Sequence, residues 1–413
     1  MSINDVQKVT LEERYHLFQK GDEICRYGIY GLIREYFQHD DPQAHEYPAR
    51  SINLTVPTPR LKVIQAVITS DCNLNCVYCS FAANAPELPQ KRMSEAELEA
   101  LCHRFNTKIG KSGLLLITGG EPELYREAVD YLIANLNGKI ILFTNGTLTT
   151  AERLEFYQKH DVGVLFSLDG DLFAQESVRV SKDGSYRKIA ASLKMAREAG
   201  LNYGISAVVG DHNIERLPQL VEEIHATFKP ASIGLNLPHK YGETAWLRIE
   251  EYTAALLDIF QYAKRSGLFV DQINRRLAPL INQSFRFRDC SAQGEKEVIY
   301  PGGAVMSCVN QAGLKHEVNW AEQIPFKREF CADCFAIGLC GGGCLFDGNA
   351  INGPDCFDPR NCYLTKTLLE HFIWDFRAEL YDDAADRARL QTKYSALLQR
   401  REGTFLSVGH DTV

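Results

Sequence analysis

Ile68-Thr-Ser-Asp-Cys72-Asn-Leu-Asn-Cys76-Val-Tyr-Cys79 is the stretch on which the reading of this chain turns. It continues an apolar, β-branched run, 63–69, which predicts a strand buried on both faces. Three cysteines spaced CxxxCxxC therefore stand in the loop at a strand's carboxyl end, where α/β folds collect their ligands. Three thiolates can hold three irons of a [4Fe–4S] cluster and leave the fourth iron without a protein ligand. A metal site with an open position is what catalysis needs. The bland alternatives are a zinc site, for which His103 is the nearest histidine in sequence, or three unconnected cysteines.

Outward from this loop the chain alternates strand and helix. Apolar runs at 63–69, 114–118, 139–144, 162–168, 203–209 and 232–237 predict six strands, with helical stretches between them. Ser94-x-x-Glu97 and Thr149-x-x-Glu152 read as capping boxes. Leu98, Leu101, Cys102 and Phe105 form one helical stripe, and Leu217, Leu220, Val221 and Ile224 another. The predicted fold class is α/β, with a parallel sheet and crossover helices. Six units fall short of the eight that close a full barrel, so the expectation is an open, partial (β/α)6 TIM-like barrel. The boundaries read as a helix-leaning preamble over 1–60, the barrel over 61–245 and a bridging helical region over 246–284. A cysteine-rich domain follows over 285–365, then a C-terminal helix and tail over 366–413. In the last segments Leu369, Ile373, Phe376 and Leu380 share a stripe.

CNLNCVYC resembles the signature of the radical S-adenosylmethionine (radical SAM) superfamily. Further matches stand at the ends of successive predicted strands. Thr118-Gly119-Gly120-Glu121-Pro122 resembles the family's GGEP motif, and the resemblance implies that its backbone and Glu121 hold the methionine amino group of SAM. Thr144-Asn145-Gly146 resembles its TNG. Ser167-Leu168-Asp169-Gly170 resembles its S-[IL]-DG, implying that Ser167 and Asp169 approach the SAM ribose or carboxylate. Arg179 matches an arginine that pairs with the SAM carboxylate in a charge-assisted way, and Tyr78 an aromatic near the adenine. The family usually carries His-Asp shortly before that arginine, and here the pair is Gln175-Glu176. Each motif alone also reads as an ordinary βα loop, but four in order, each after a strand, form a pattern. The implied chemistry is reductive cleavage of SAM to a 5′-deoxyadenosyl radical that removes a hydrogen atom from an unactivated C–H bond.

Of the chain's 13 cysteines, eight crowd into 290–362. In a reducing compartment such a cluster reads as metal ligands rather than disulfides. Cys290-X12-Gly303-X4-Cys308, then Cys331-X2-Cys334-X5-Cys340-X3-Cys344, then Cys356 and Cys362, resembles the SPASM extension of peptide-modifying radical SAM enzymes. The CxxC pairs taken alone would equally suit a zinc ribbon. By resemblance, Cys290, Cys308 and Cys344 ligate a nearer auxiliary [4Fe–4S] cluster, and Cys331, Cys334, Cys340 and Cys362 a farther one. Cys356 is left over: either it completes a cluster or the nearer cluster keeps an open iron. The run Gly341–Gly343 lets backbone N–H groups approach cluster sulfur. Residues 296–308 read as a hairpin around Pro301-Gly302-Gly303. Cys25 and Cys102 read as small buried hydrophobes, and His239 as a surface residue or one facing substrate.

A net charge of −8 at ordinary globular composition argues against nucleic acid as a partner. No apolar run is long enough for a membrane span, and the start lacks a secretory signal, so the expectation is a cytoplasmic protein. The resemblance implies a ribosomally made precursor peptide as substrate, with an oxidative thioether or C–C cross-link as the leading product. It also implies an electron donor such as flavodoxin or ferredoxin. Residues 1–60 look too short for a leader-binding domain, which leaves room for a separate leader-binding protein. Epimerisation, fragment excision and small-molecule chemistry remain alternatives. A sulfatase-maturase reading is disfavoured because Val309, not aspartate, follows Cys308. A non-catalytic iron–sulfur carrier would have no need of the GGEP, TNG and SLDG set. No acid, base or hydrogen-donor residue can be named from the sequence.

Overall fold

The first sixty residues depart from expectation: where the sequence leans toward helix, the chain builds strands. In the computed structural model, which describes residues 6–84, 86–239, 248–314, 319–354 and 356–375, β1 (Val6–Glu12) pairs antiparallel with β5 (Ser51–Pro57). β2 (Tyr15–Lys20), β3 (Glu23–Gly28) and β4 (Arg34–Gln38) form a separate antiparallel sheet. The β2–β3 turn is two residues long, Gly21-Asp22, and Gly21 supplies the positive φ of 59° that such a tight hairpin requires. β-branched and aromatic residues over 15–37 then favour pairing over helix. This sheet is no detached preamble. His16 stacks on Phe335 at 4.3 Å, Arg14 donates to Ala332 O at 2.7 Å, and Tyr36 donates to Ile373 O at 2.7 Å.

The six expected parallel strands are present. They are β6 (Val63–Thr69), β8 (Leu114–Gly119), β9 (Lys139–Thr144), β10 (Val162–Ser167), β12 (Tyr203–Val208) and β13 (Ser232–Asn236). Between them stand two very short strands, β7 (Asn75–Cys76) and β11 (Arg179–Val180), which pair with each other. β14 (Phe269–Val270) extends the main sheet beyond β13, and β15 (Lys296–Ile299) and β16 (Val305–Met306) extend it beyond β6. The order is β14-β13-β12-β10-β9-β8-β6-β15-β16, parallel throughout except for the β15–β16 hairpin. That hairpin was expected, but not its place: it is part of the barrel sheet, so the cysteine-rich region starts inside the barrel.

Alternation along the strands sets the layers. Ile64, Ala66 and Ile68 face the helices in the main core, with Leu98, Leu101, Cys102 and Phe105 from the helix Glu95–Lys108. Val63, Leu116, Ile141 and Leu165 meet on the other face as a closed apolar layer. The Ser94–Glu97 capping box is formed; the second cap shifts by one residue, Thr150 rather than Thr149 accepting from Arg153 N. Cys25 and Cys102 are buried as expected. The bridging helix is Ile249–Ser266. The C-terminal helix runs Pro359–Asp375 with Leu369 and Ile373 buried; Phe376 and Leu380 lie outside the described residues. Among the described residues no helix is long and apolar enough to cross a membrane.

Candidate active site

Two residues past each member of the apolar layer stand Gln65, Thr118, Phe143 and Ser167, and all four line a cleft enclosing about 800 Å³ at the carboxyl ends of the strands. Cys72, Cys76, Cys79, Tyr78, Gly119, Gly120, Asn145 and Arg179 line the same cleft. The cysteine loop is held there by its neighbours. A Cβ on Gly119 would stand 2.2 Å from Thr69 O, and one on Gly120 2.2 Å from Asp71 O. Only glycine lets the end of β8 approach the loop so closely. Gly120 N donates to Thr69 O and Glu121 N to Asp71 O, each at 2.8 Å. On the far side Asn145 Nδ2 donates to Asn73 Oδ1 at 2.9 Å.

The three thiols act on one another. Burial pushes Cys72 up to about 11, with smaller contributions from Cys76 and Cys79. Burial also raises Cys76, opposed by the Arg179 guanidinium, whose Nη1 lies 4.0 Å from its sulfur. Three thiols lining one cleft can give up their protons to a bound cation, so this trio fits a metal cluster.

Arg179 lines the cleft and is held from behind. It is buried and clasps Asp169 with Nε at 2.9 Å and Nη2 at 3.2 Å, and it lies over the Tyr78 ring at 5.4 Å. Tyr78 in turn donates to Asp169. Asp169 also accepts from Val208 N at 2.9 Å, so it ties three loops together from behind the cleft wall. Glu121 and Pro122 likewise stand outside the lining. The Glu121 carboxylate accepts from Thr144 Oγ1 at 2.8 Å and from Asn145 N at 2.7 Å, and burial pushes it up to about 7. The departure at 175–176 has work of its own. Gln175 accepts from Asp169 N at 2.9 Å, and Glu176 accepts from Ser185 N and Tyr186 N at the start of the helix Tyr186–Glu198.

Sequence reasoning missed Gln65, Leu74, Ser80, Phe81, Phe143 and Val309 in the lining. Gln65 is the polar side chain inside the apolar run VIQAVI, a signal that was available; its Nε2 donates to Thr118 Oγ1, and the buried Lys296 reaches its Oε1, each at 3.2 Å. Phe143, Leu74 and Val309 carry no signal beyond being apolar. Val309 matters most, because it follows Cys308 and brings the C-terminal cysteines to the edge of this cleft.

Those cysteines fall into two sets. Cys331 is pushed up to about 12 by burial, then by Cys334 and Cys362; Cys340 is pushed up to about 12 by burial, then by Cys362. Cys344 is raised by burial, then by Asp347, Cys308 and Cys290. Cys290 is positioned by Gln293, whose Oε1 accepts from both Asp289 N and Cys290 N at 2.9 Å. Gly341, at φ 64°, packs so tightly on Arg288 and Asp289 that a Cβ would overlap their backbone at 2.6 Å. Gly342 N donates to Cys340 Sγ at 3.4 Å. No contact among the described residues joins the Cys356 side chain to either set. His239 is neither on the surface nor at the cleft: it is 7% exposed and stands beside Cys344.

Residues 66–224 match the model of the Radical SAM superfamily. The radical SAM cyclopropyl synthase TigE of Paramaledivibacter caminithermalis is 21% identical over 394 residues, 84% of this chain and 83% of that protein. Among solved structures, native anSMEcpe with bound AdoMet and Cp18Cys peptide superposes with a TM-score of 0.62 at 18% identity, covering 78% of this chain and 98% of that one. Streptococcus suis SuiB bound to precursor peptide SuiA gives 0.54 at 18% identity, covering 74% and 76%. At such identities the likeness speaks for the fold.

Proposed function

From a chain that carries a radical SAM domain over residues 66–224, we propose an enzyme that oxidatively modifies a ribosomally made precursor peptide, closing a thioether or carbon–carbon bond. The observation that carries this reading is Val309: the residue after Cys308 lines the same cleft as Cys72, Cys76 and Cys79. Cys72, Cys76 and Cys79 would hold a [4Fe–4S] cluster with SAM on its open iron. Cys290, Cys308 and Cys344 would hold a nearer auxiliary cluster, and Cys331, Cys334, Cys340 and Cys362 a farther one. When bound, the first group and SAM supply a 5′-deoxyadenosyl radical that takes a hydrogen atom from an unactivated C–H bond.

The chain's own residues then do the rest. Tyr78 and Arg179, braced by Asp169, form one wall, and the Gly119–Gly120 backbone and Asn145 form the other. Gln65 and Thr118 supply polar contacts at the floor, while Phe143 and Val309 keep water from the reacting carbon. Closing a bond between two groups that each lose a hydrogen leaves one proton and one electron after the hydrogen atom has gone. The nearer auxiliary cluster, whose Cys308 precedes the cleft-lining Val309, would take that electron.

TigE is by name a cyclopropyl synthase. Ring closure of that kind is also a C–C bond formed with loss of two hydrogens, so it is a specific form of the same proposal. The anSMEcpe structure holds AdoMet and the Cp18Cys peptide, and the SuiB structure holds the precursor peptide SuiA, which supports a peptide substrate here. A sulfatase-maturase reaction fits less well, since Val309 cannot serve as a base. The proposed setting is the cytoplasm, with a small electron-transfer protein as donor and a separate leader-binding protein as a possible helper.

The test is mass spectrometry of a candidate precursor peptide co-expressed anaerobically with this chain. The expected product has lost two hydrogens. An unchanged mass with deuterium taken up from heavy water would replace cross-linking with epimerisation.

A further inference from the structure

Behind the Cys344 sulfur lies a second, much smaller cavity of about 10 Å³, with His239, Arg276, Cys344, Asp347, Asp358 and Asn361 in its walls. His239 Nδ1 stands 3.1 Å from Asp347 Oδ2 and 3.9 Å from Cys344 Sγ. Asp347 is buried and also meets Arg360 at 3.0 Å; Arg360 in turn grips Asp358 at 2.8 Å. The same arginine donates to the carbonyl of Pro238, next to His239, at 3.1 Å. Phe346 meets the imidazole edge-on at 5.8 Å. Carboxylate, arginine and aromatic ring thus fix where the imidazole sits and which way it faces. Nothing about the established site requires this arrangement.

We propose that His239 is a positioning residue for the Cys290–Cys308–Cys344 set, its single Nδ1–H shared in a three-centre bond between Asp347 Oδ2 at 3.1 Å and the Cys344 sulfur at 3.9 Å, and so raising the reduction potential of the cluster held there. The inference rests on the reading that this set holds an iron–sulfur cluster. Two observations make the histidine a donor rather than a ligand. A carboxylate oxygen 3.1 Å from Nδ1 requires a proton between them, and a protonated nitrogen has no lone pair for iron. Moreover, Nδ1 lies 3.9 Å from the Cys344 sulfur, within N–H···S reach. Hydrogen bonds to cluster sulfur stabilise the more negative, reduced state and raise the potential.

The other sets have different donors. Asn361 Nδ2, from the opposite wall of the cavity, donates to Cys340 Sγ at 3.1 Å, and the Arg179 guanidinium stands at Cys76. Each set therefore has its own side-chain donor, and the one nearest the cleft after the radical site is an imidazole tied to a buried carboxylate.

The test is an anaerobic redox titration of the reconstituted enzyme, each cluster followed by its EPR signal. The signal lost in Cys308→Ala marks the nearer auxiliary site. His239→Phe removes the donor; His239→Asn keeps an N–H close to the position of Nδ1. The expected result is a midpoint of the marked signal shifted to more negative potential in His239→Phe, close to wild type in His239→Asn, with iron content and the other two midpoints unchanged. An unshifted midpoint in His239→Phe overturns the proposal. So does loss of iron in both variants, which would make His239 a ligand. Should His239→Phe fail to fold, pulsed EPR of the wild type decides. With histidine selectively labelled with 15N, a weak 15N coupling to the marked signal supports the donor, and a strong directly bonded nitrogen coupling, or none, overturns it. A wild-type iron content of about 4 per chain rather than about 12 refutes the cluster reading itself, and this inference with it.

Discussion

The barrel and the cysteine-rich region both gather thiols, but they hold them by different means. In the barrel the trio hangs from strand ends, and two apolar layers fix those ends whether or not anything is bound. In the C-terminal region the dedicated core is small: Cys290, Ala292, Trp320, Leu345, Phe346 and Phe357. The chain there runs through short turns, such as Gln311–Gly313, Trp320–Glu322, Pro325–Lys327 and Glu329–Cys331. A region of this make-up needs staples. The lesson is that the first site is a scaffold that receives a cofactor, whereas the later sites are part of what their cofactors would build.

The sharpest way to probe that difference is to remove one ligand from each region. Cys76→Ala should abolish 5′-deoxyadenosine formation, read by chromatography, yet leave the barrel's circular dichroism intact; continued turnover would break the comparison at its first term. Chelation of iron comes next. Hydrogen exchange should accelerate over 286–362 and stay slow over 63–236, because structural metal binding is folding free energy. Equal acceleration in both regions would say that the barrel, too, depends on its metal.

A smaller effect tests the barrel's own electrostatics. Burial raises Glu121 from its ordinary 4.5 to about 7. Between these values the folded chain binds a proton that the unfolded chain has released, so stability falls as pH rises. The loss is on the order of 3 kcal/mol by pH 8 in the metal-free protein. Urea unfolding at pH 5 and pH 8 should show this slope, and Glu121→Gln should flatten it. Least of all, Ser94→Ala removes one cap of one barrel helix and should cost about 1 kcal/mol with no effect on iron content.

The same contrast explains what was legible in the sequence. All six barrel strands could be read, because strands buried on both faces must be apolar runs bounded by polar loops. Of the lining residues at their ends, Gly119, Gly120, Asn145 and Ser167 followed from the order of the motifs, whereas Gln65 and Phe143 did not. The Arg179–Asp169 ion pair was not legible, since each was read for ligand and nothing local pairs residues ten apart. His239 was misread because its partner Asp347 lies 108 residues away, a proximity that no local pattern encodes. The strands over 15–38 were missed for a related reason: loose apolar spacing fits both periods. The tight turn at Gly21 was the one local sign against helix.

The sheet of β2, β3 and β4 has a consequence for how the molecule is made. Its hairpins are local and can close soon after they leave the ribosome. Phe18, however, packs on Phe335 at 5.3 Å, and Leu32 is pressed so close to Gly338 that a Cβ there would overlap it. About three hundred residues must be synthesised before that aromatic face meets its cover. At roughly 5–20 residues per second it stays uncovered for tens of seconds, during which that apolar face is open to non-native contacts. The maturation of the last cysteines thus begins with a surface laid down first.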